Sequence, residues 1–225
     1  MLEVLYKDND FIAINKPHGL LVHRTKLAKD ATSFALQIVR DQIGQHVYPA
    51  HRIDRKTGGI LLFALNETSL KMINSLFTER KVEKTYLAIV RGFCDDTGII
   101  DYPIKKENGK MQEAVTKFET INKVELDVQF GHHPTSRYSL VKIYPKTGRM
   151  HQIRKHFKHI RHPIIGDRPY GCNKQNKLFK EKWNITHLML HASELKFLHP
   201  ITNKSVKISA SLQKEFEYAN KILGF

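Results

Sequence analysis

The chain has 225 residues, of which 41% are hydrophobic and 26% are charged, a composition typical of a globular protein with a sizeable core. This composition excludes the disordered and fibrous classes, and no apolar run approaches the ~20 residues that cross a bilayer. The first residues lack the basic and then apolar layout of a signal peptide. With only two cysteines, Cys94 and Cys172, the sequence predicts a protein of the reducing cytoplasm.

The charge balance indicates the kind of partner. Lysine and arginine number 37 against 22 aspartates and glutamates, which gives a formal net charge of +15. An excess of this size favours a polyanion such as RNA, because it provides attraction to phosphate backbones. A surface tuned for solubility is the alternative. A membrane surface is less favoured, because no long basic amphipathic helix stands out.

The first third of the chain predicts a hairpin, two helices and a buried strand. Short apolar runs at 3–5 and 11–15 flank a polar turn. Apolar residues at helical spacing predict a helix over 32–42 that ends at Gly44. Residues 60–64 indicate a buried strand, and Asn66 or Thr68 is a candidate cap for the helix that follows.

The remaining chain alternates strands, turns and a closing helix. Strands are predicted over 85–90, 115–118, 124–130, 138–144, 188–197 and 206–209, with a turn at 108–109. Leu212, Phe216, Ala219 and Ile222 predict one face of a closing helix. No linker or repeat interrupts the pattern, so we expect a single domain over 1–225. These elements predict an α+β fold around a largely antiparallel or mixed sheet.

The most informative segment spans residues 51–62 (HRIDRKTGGILL). It places Asp54 among Arg52, Arg55 and Lys56, and nearby positive charge should lower the pKa of the carboxyl group. Such a group is suited to act as an anionic nucleophile. The glycine pair at 58–59 allows a tight turn, so Asp54 can lie at the mouth of a strand. An ordinary loop salt bridge fits this segment equally well.

A second basic segment covers residues 146–163. If it is helical, Ile153, Phe157 and Ile160 form an apolar stripe, and Arg154, Lys158 and Arg161 repeat that spacing one residue on. A basic ridge beside an apolar stripe suits a helix that faces nucleic acid. A solvated basic helix has the same pattern.

Four histidines in that segment, at 151, 156, 159 and 162, raise the question of a metal. Surrounding cations and the lack of a nearby acid disfavour a dication, and no pair has the i, i+4 spacing of a helical zinc motif. Nucleotide-binding and Gly-x-Ser-x-Gly motifs are also missing from the sequence. We therefore expect neither metal nor cofactor, and Asp54 is the one reactive candidate.

These segments together resemble the RluA-like family of RNA pseudouridine synthases. Residues 15–23 (NKPHGLLVH) are similar to its Lys-Pro-x-Gly motif, 51–55 to its His-Arg-Leu-Asp motif, and 84–92 to its Lys-x-Tyr strand. Residues 147–154, followed by 162–167, are similar to its third motif. Two positions depart from the pattern: Ile53 replaces leucine, and Gly58 stands where serine is usual. Neither change alters the carboxylate.

The resemblance implies a fold, a reaction and a set of site residues. The fold is a mainly antiparallel central sheet with flanking helices and an RNA-binding cleft. In the reaction, the N1–C1′ bond of a uridine breaks, the uracil rotates, and C5 is joined to C1′. The implied catalytic residues are Asp54 as nucleophile, Tyr86 stacked on the uracil with its hydroxyl as proton acceptor, and Arg154 as the counter-ion of Asp54. The implied substrate-binding residues are Arg52, which holds the flipped-out nucleotide, Tyr86, Ile153 against the base, Arg149 and His151.

For Tyr86 a buried strand tyrosine is the alternative role, and for Ile153 it is simple core packing. Within the family, the chain most resembles the branch that modifies uridine 65 of tRNA, and it carries no S4-type RNA-binding domain. The implied partner is therefore tRNA, and the protein is expected to act as a monomer. A ribosomal-RNA synthase, a non-catalytic RNA-binding protein and a metallohydrolase are the alternatives.

Overall fold

A computed structural model describes residues 1–23 and 33–225 of the chain. The strands in these ranges are β1 (Val4–Lys7), β2 (Phe11–Lys16), β3 (Tyr48–Pro49), β4 (Gly58–Ala64), β5 (Glu83–Arg91), β6 (Thr97–Asp101), β7 (Ile104–Lys105), β8 (Met111–Gln112), β9 (Val115–Leu126), β10 (Ser136–Pro145), β11 (Leu190–Leu198) and β12 (Ser205–Ser209). The helices are α1 (Ala35–Ile43), α2 (Glu67–Thr78), α3 (Gln152–His159), α4 (Asn173–Trp183) and α5 (Lys214–Leu223).

The described residues divide into two compact units. The first unit comprises Met1–Lys84 and Ala192–Leu212, and the second comprises Thr85–His191 and Gln213–Phe225. The expectation of one catalytic domain over 1–225 stays a prediction. Among the helices of the described ranges, none has the length and apolar character of a membrane span.

The first unit is built on a sheet in which β4 lies between β2 and β11. The predicted hairpin is confirmed, since β1 pairs antiparallel with β2, and β2 pairs antiparallel with β4. All seven residues of β4 are buried, because α2 contributes Ile73 to the core on one face of the sheet and α1 contributes Val39 on the other. A strand covered on both faces has a continuous apolar run instead of an alternating one.

The ends of these two helices follow from local chemistry. Asn66 caps α2, where its side chain accepts a hydrogen bond from the backbone N–H of Ser69 at 2.8 Å. Gly44 ends α1 in the left-handed conformation, with φ +66°. Both were predicted. Helix α1 begins at Ala35, and the predicted start near residue 32 lies outside the described residues.

The second unit holds an antiparallel sheet in the order β5–β10–β9–β6. The sequence predicted separate strands over 115–118 and 124–130, but β9 runs unbroken from Val115 to Leu126. Strand β9 pairs with the ten-residue strand β10, and the register shifts once, at Leu140/Val141. This pairing keeps the polar middle of β9 in the extended conformation. Tertiary pairing here outweighs the local pattern.

Three helices belong to the second unit. The sequence did not predict α4, because its polar sequence (NKQNKLFKEKW) buries little besides Phe179 and Gln175. The predicted closing helix is present as α5, although Leu212 precedes it and Leu223 is buried in the place expected for Ile222. The mainly antiparallel sheet with flanking helices confirms the predicted α+β class.

Candidate active site

In the first unit, Asp54 lies in a turn that leads directly into β4. The backbone N–H of Thr57 donates to the Asp54 carbonyl at 3.0 Å, which closes the turn one residue before the strand begins. Asp54 is half-buried, Arg52 is exposed, and Ile53 is buried. The structure therefore places Asp54 at the mouth of a strand, as the glycine pair indicated.

A clamp of two hydrogen bonds between Gly19 and Arg55, one between backbone groups and one from the Arg55 side chain, joins the Asp54 turn to the Lys-Pro motif. The backbone N–H of Gly19 donates to the Arg55 carbonyl at 2.8 Å, and Arg55 Nε donates to the Gly19 carbonyl at 3.0 Å. Arg55 thus has a role that its sequence position alone did not indicate. Hydrogen bonds in both directions fix the register of the two loops, and hence the position of Asp54.

Lys16 lies beneath the same turn with its side chain fully buried. Its Nζ donates to the carbonyls of Pro17 and Leu20, both at 2.9 Å, and to that of Arg55 at 3.2 Å. Burial lowers the pKa of Lys16 to about 7, while the negative charge of Asp54 acts in the opposite direction. Lys16 is therefore a buried amine whose hydrogen bonds join the two loops, and the charge of Asp54 favours its protonated form.

His51, the first residue of the His-Arg-Ile-Asp motif, is a neutral structural acceptor. Its Nε2 accepts a hydrogen bond from the backbone N–H of Leu62 at 3.1 Å, and its ring packs 5.3 Å from that of Phe77. Burial, aided by the charge of Lys84, lowers the pKa of His51 to about 3. Since Nε2 accepts, the single ring proton is on Nδ1. This histidine orients the motif against β4.

Gly59 is required by a close approach of two backbones. It has φ +104°, and a Cβ at this position would lie 2.2 Å from the carbonyl oxygen of Ala192. Only glycine fits both the conformation and the contact. The second glycine of the pair therefore serves the packing of β4 against β11.

In the second unit, Tyr86 lies on β5 opposite Ile143 of β10 and is half-buried. Ile153 is buried, with 7% exposure, in the first turn of α3. Partial burial suits a ring that offers one face to a ligand, and full burial suits a packing residue. The roles of these residues toward uracil stay predictions.

Arg154 forms a buried ion pair with Asp167. Its Nε and Nη2 donate to the two carboxylate oxygens at 2.8 and 2.9 Å, and the side chains are 5% and 1% exposed. Arg154 therefore does not belong to the exposed basic ridge that its spacing with Lys158 suggested, and that expectation is wrong. The pairing of Arg154 with Asp54 stays a prediction.

Gln152 holds the start of α3 against the sheet. Its side-chain oxygen accepts from Thr147 Oγ1 and from the backbone N–H of Arg149 at 2.7 and 3.0 Å. Its Nε2 donates to the Val115 carbonyl at 3.0 Å and to Thr116 Oγ1 at 2.9 Å. This buried amide uses both its donors and both its acceptor positions, so it fixes the helix that carries Arg154. Sequence reasoning missed it.

Two further residues of the third motif, Arg149 and His151, lie just before the start of α3. Arg149 Nε donates to the Glu113 carbonyl at 3.0 Å. His151 has a left-handed backbone, with φ +55°, and its Nδ1 lies 3.1 Å from the hydroxyl of Tyr170. Both side chains are half-buried, which is compatible with the predicted contact with substrate.

The histidines at 151–162 have protein partners instead of a shared centre. His156 is hydrogen-bonded to Thr116 Oγ1 and to the Tyr102 carbonyl. His162 is hydrogen-bonded to the Arg91 carbonyl, and the ring of His159 stacks on that of Tyr102. The group that could hold an ion in the described part of the chain is Asp8, Asp10 and His199. His199 Nδ1 accepts from two backbone N–H groups, so its Nε2 carries the proton that points at Asp8. That donor geometry is the opposite of a metal ligand.

Comparison with known proteins assigns the family. The profile for "RNA pseudouridylate synthase" matches residues 10–159, which span the Asp54 turn, β5 and α3. The chain belongs to the RNA pseudouridylate synthase family. This confirms the family and the class of enzyme, an isomerase, that the four motifs predicted.

Close relatives cover nearly the whole chain. It is 47% identical to tRNA pseudouridine synthase C of Vibrio parahaemolyticus, over 96% of this chain and 92% of that protein. It is 49% identical to the protein of the same name from Haemophilus ducreyi, over 96% and 93%. Among solved structures, human RNA pseudouridylate synthase domain containing 4 matches with a TM-score of 0.74 at 24% identity, over 99% of this chain and 93% of that chain. This likeness shows the shared fold.

Proposed function

We propose that this protein isomerises uridine to pseudouridine in tRNA, at position 65, with Asp54 as the nucleophile. The observation that carries the proposal is the identity of 43–49% to relatives named tRNA pseudouridine synthase C over at least 93% of the chain. The aspartate motif of that family falls at Asp54, in a turn held from both sides by Lys16 and Arg55. Such a preorganised carboxylate suits nucleophilic attack.

The chemistry is balanced within the nucleotide. Asp54 forms a transient covalent bond to the nucleotide, the N1–C1′ bond breaks and the freed uracil rotates. The C5–C1′ bond then forms, the bond to Asp54 breaks and regenerates the carboxylate, and the proton on C5 leaves while N1 gains one. Uridine and pseudouridine are isomers, so no oxidant or reductant is consumed. The target must leave its base stack before Asp54 can reach it, and we assign Arg52 to hold the extruded nucleotide.

The same proposal assigns Tyr86 to stack on the uracil and accept a proton, Ile153 to pack against the base, and Arg154 to keep Asp54 ionised. Arg149 and His151 are assigned to the flanking nucleotides. We further propose that the enzyme works as a monomer in the cytoplasm. Ribosomal RNA is the alternative substrate, and the experiment below separates the two.

Purified protein is incubated with unmodified tRNA and ribosomal-RNA transcripts, and pseudouridine is mapped by chemical derivatisation and primer extension. We expect product at position 65 of tRNA, and none when that uridine is replaced by cytidine. Asp54→Asn should abolish product while retaining RNA binding, whereas the exposed Asp127→Asn should retain both. Product in ribosomal RNA alone contradicts the substrate assignment, and an active Asp54→Asn variant contradicts the nucleophile.

A further inference from the structure

A surface of the second unit combines exposed cations with aromatic rings outside the residues assigned to catalysis. We call it the α3 surface and define it by Tyr102, Lys105, Lys155, Lys158, His159 and Tyr170. Helix α3 supplies three of these residues, and the segment around the β7–β8 hairpin supplies Tyr102 and Lys105.

Each tyrosine ring of the α3 surface lies close to another ring or to lysine ammonium groups. Tyr102 and His159 stack with ring centroids 3.6 Å apart and an angle of 18° between the planes, and Tyr102 is 43% exposed. The ammonium groups of Lys155 and Lys158 each lie 5.9 Å from the ring centroid of Tyr170. Flat faces beside positive charges are what bases and phosphates of RNA require.

The hairpin is anchored to α3, so this arrangement is held in place. His156 Nε2 lies 3.0 Å from the Tyr102 carbonyl, and Lys155 Nζ donates to the Lys105 carbonyl at 3.4 Å. Arg149 Nε binds the Glu113 carbonyl at the other end of the same segment. Anchored side chains lose less entropy on binding than mobile ones.

The local charge is strongly positive. Residues 149–161 contain five arginines and lysines and no carboxylate. Residues 101–113 add Lys105, Lys106 and Lys110 against Asp101, Glu107 and Glu113, so the two segments together carry eight cations and three carboxylates. The nearby acid Asp167 is buried and already bound to Arg154. An anionic polymer that carries flat bases, such as RNA, is therefore favoured as the partner, because exposed aromatic rings lie beside the positive charge.

We propose that the α3 surface binds the RNA substrate at nucleotides outside the modified one. In this arrangement Lys105, Lys155 and Lys158 contact phosphates, and the Tyr102–His159 pair stacks on an unpaired base. This inference rests on the proposed function, because it takes the same RNA as the partner. It adds affinity and register instead of a chemical step.

The test measures the dissociation constant for unmodified tRNA at several salt concentrations, in the Asp54→Asn background to prevent turnover. Lys105→Gln with Lys158→Gln should lower the slope of log Kd against log salt by roughly 1.5 to 2. The matched control, Lys214→Gln with Lys221→Gln on α5, removes the same charge and should leave the slope nearly unchanged. Equal slopes in the two double variants overturn the phosphate contacts.

Stacking is tested by Tyr102→Ala, for which we expect Kd to rise roughly five- to a hundredfold. Tyr102→Phe retains the ring and should retain the affinity, and His159→Ala provides an independent variant at an exposed position. Unchanged affinity in both alanine variants overturns the stacking role. Activity of the parent enzyme on the same tRNA is measured alongside. If the parent enzyme is active and the variants of the α3 surface bind tRNA as tightly as the parent, this inference alone is refuted. If the parent enzyme is inactive on the tRNA, the proposed function is refuted.

Discussion

The guanidinium of Arg154 and the carboxylate of Asp167 face each other edge to edge, with both nitrogen–oxygen distances below 3 Å and both side chains buried. Two parallel hydrogen bonds fix the plane as well as the position of the guanidinium. The ring of Tyr170 lies 5.0 Å from the same group and limits its movement on one face. Arg154 is thus positioned by an aspartate thirteen residues further along the chain.

Removal of the Asp167 charge should be strongly destabilising. Asp167→Asn leaves a buried cation without its counter-charge, and we expect a loss of about 3 kcal/mol or more in the free energy of unfolding. Urea denaturation measures it. Glu181→Gln, which removes an exposed partner 3.7 Å from Lys177, is the matched control and should change stability by less than about 0.5 kcal/mol. Equal effects of the two substitutions contradict a structural role for the buried pair.

Lys16 should give the stability a distinctive pH dependence. Its folded-state pKa of about 7 is below its ordinary value of 10.5, so between these values the unfolded chain binds more protons and stability rises with pH. From pH 7 to pH 9 the contribution is about 2 kcal/mol. Lys16→Met should remove this increase, whereas Lys71→Met on the exposed face of α2 should retain it. Unfolding curves of the two variants are measured at pH 7 and pH 9. An equal increase in stability in both variants argues against the lowered pKa of Lys16.

His51 should remain neutral throughout the working range of the enzyme. Burial lowers its pKa to about 3, so its ring resonances should not titrate between pH 5 and pH 8 in an NMR experiment. His51→Ala deprives the Leu62 N–H of its acceptor and should cost about 1–3 kcal/mol, while His46→Ala at an exposed position should cost little. A titration near pH 6.5 assigned to His51 would refute the structural role.

Gly59→Ala should disrupt the first unit. The added Cβ would meet the Ala192 carbonyl at 2.2 Å in a backbone conformation that alanine avoids, and we expect a loss of at least about 3 kcal/mol. Gly44→Ala is the control, because its φ is also positive but no atom lies within 4 Å of the new Cβ. Its cost should be about 1 kcal/mol. Similar melting temperatures for both variants would show that the clash is relieved without strain.

Much of the site could be predicted because its signals are local in sequence. The turn at Asp54, the glycine pair at the start of β4, the cap at Asn66 and the end of α1 at Gly44 each depend on neighbouring residues. Backbone conformation and capping act within a few residues, so a sequence pattern is sufficient to identify them. The four motifs in order then identified the family.

Other features depend on residues that are distant in sequence. The continuous strand β9, the polar helix α4 and the burial of Arg154 all arise from partners that local periodicity does not contain. The clamp between Gly19 and Arg55 joins loops 36 residues apart. Hydrogen bonds and ion pairs of this kind have no sequence period, because their spacing is set by how the chain packs.

The sequence by itself determined the family, the motif that contains Asp54 and the basic character of the protein. Only the tertiary structure decided which cations serve the interior and which face solvent: Lys16 and Arg154 are buried, whereas Lys158 is exposed. The physical reason is desolvation. A buried charge is tolerated only where carbonyls or a carboxylate replace its water, and the fold alone brings those partners together.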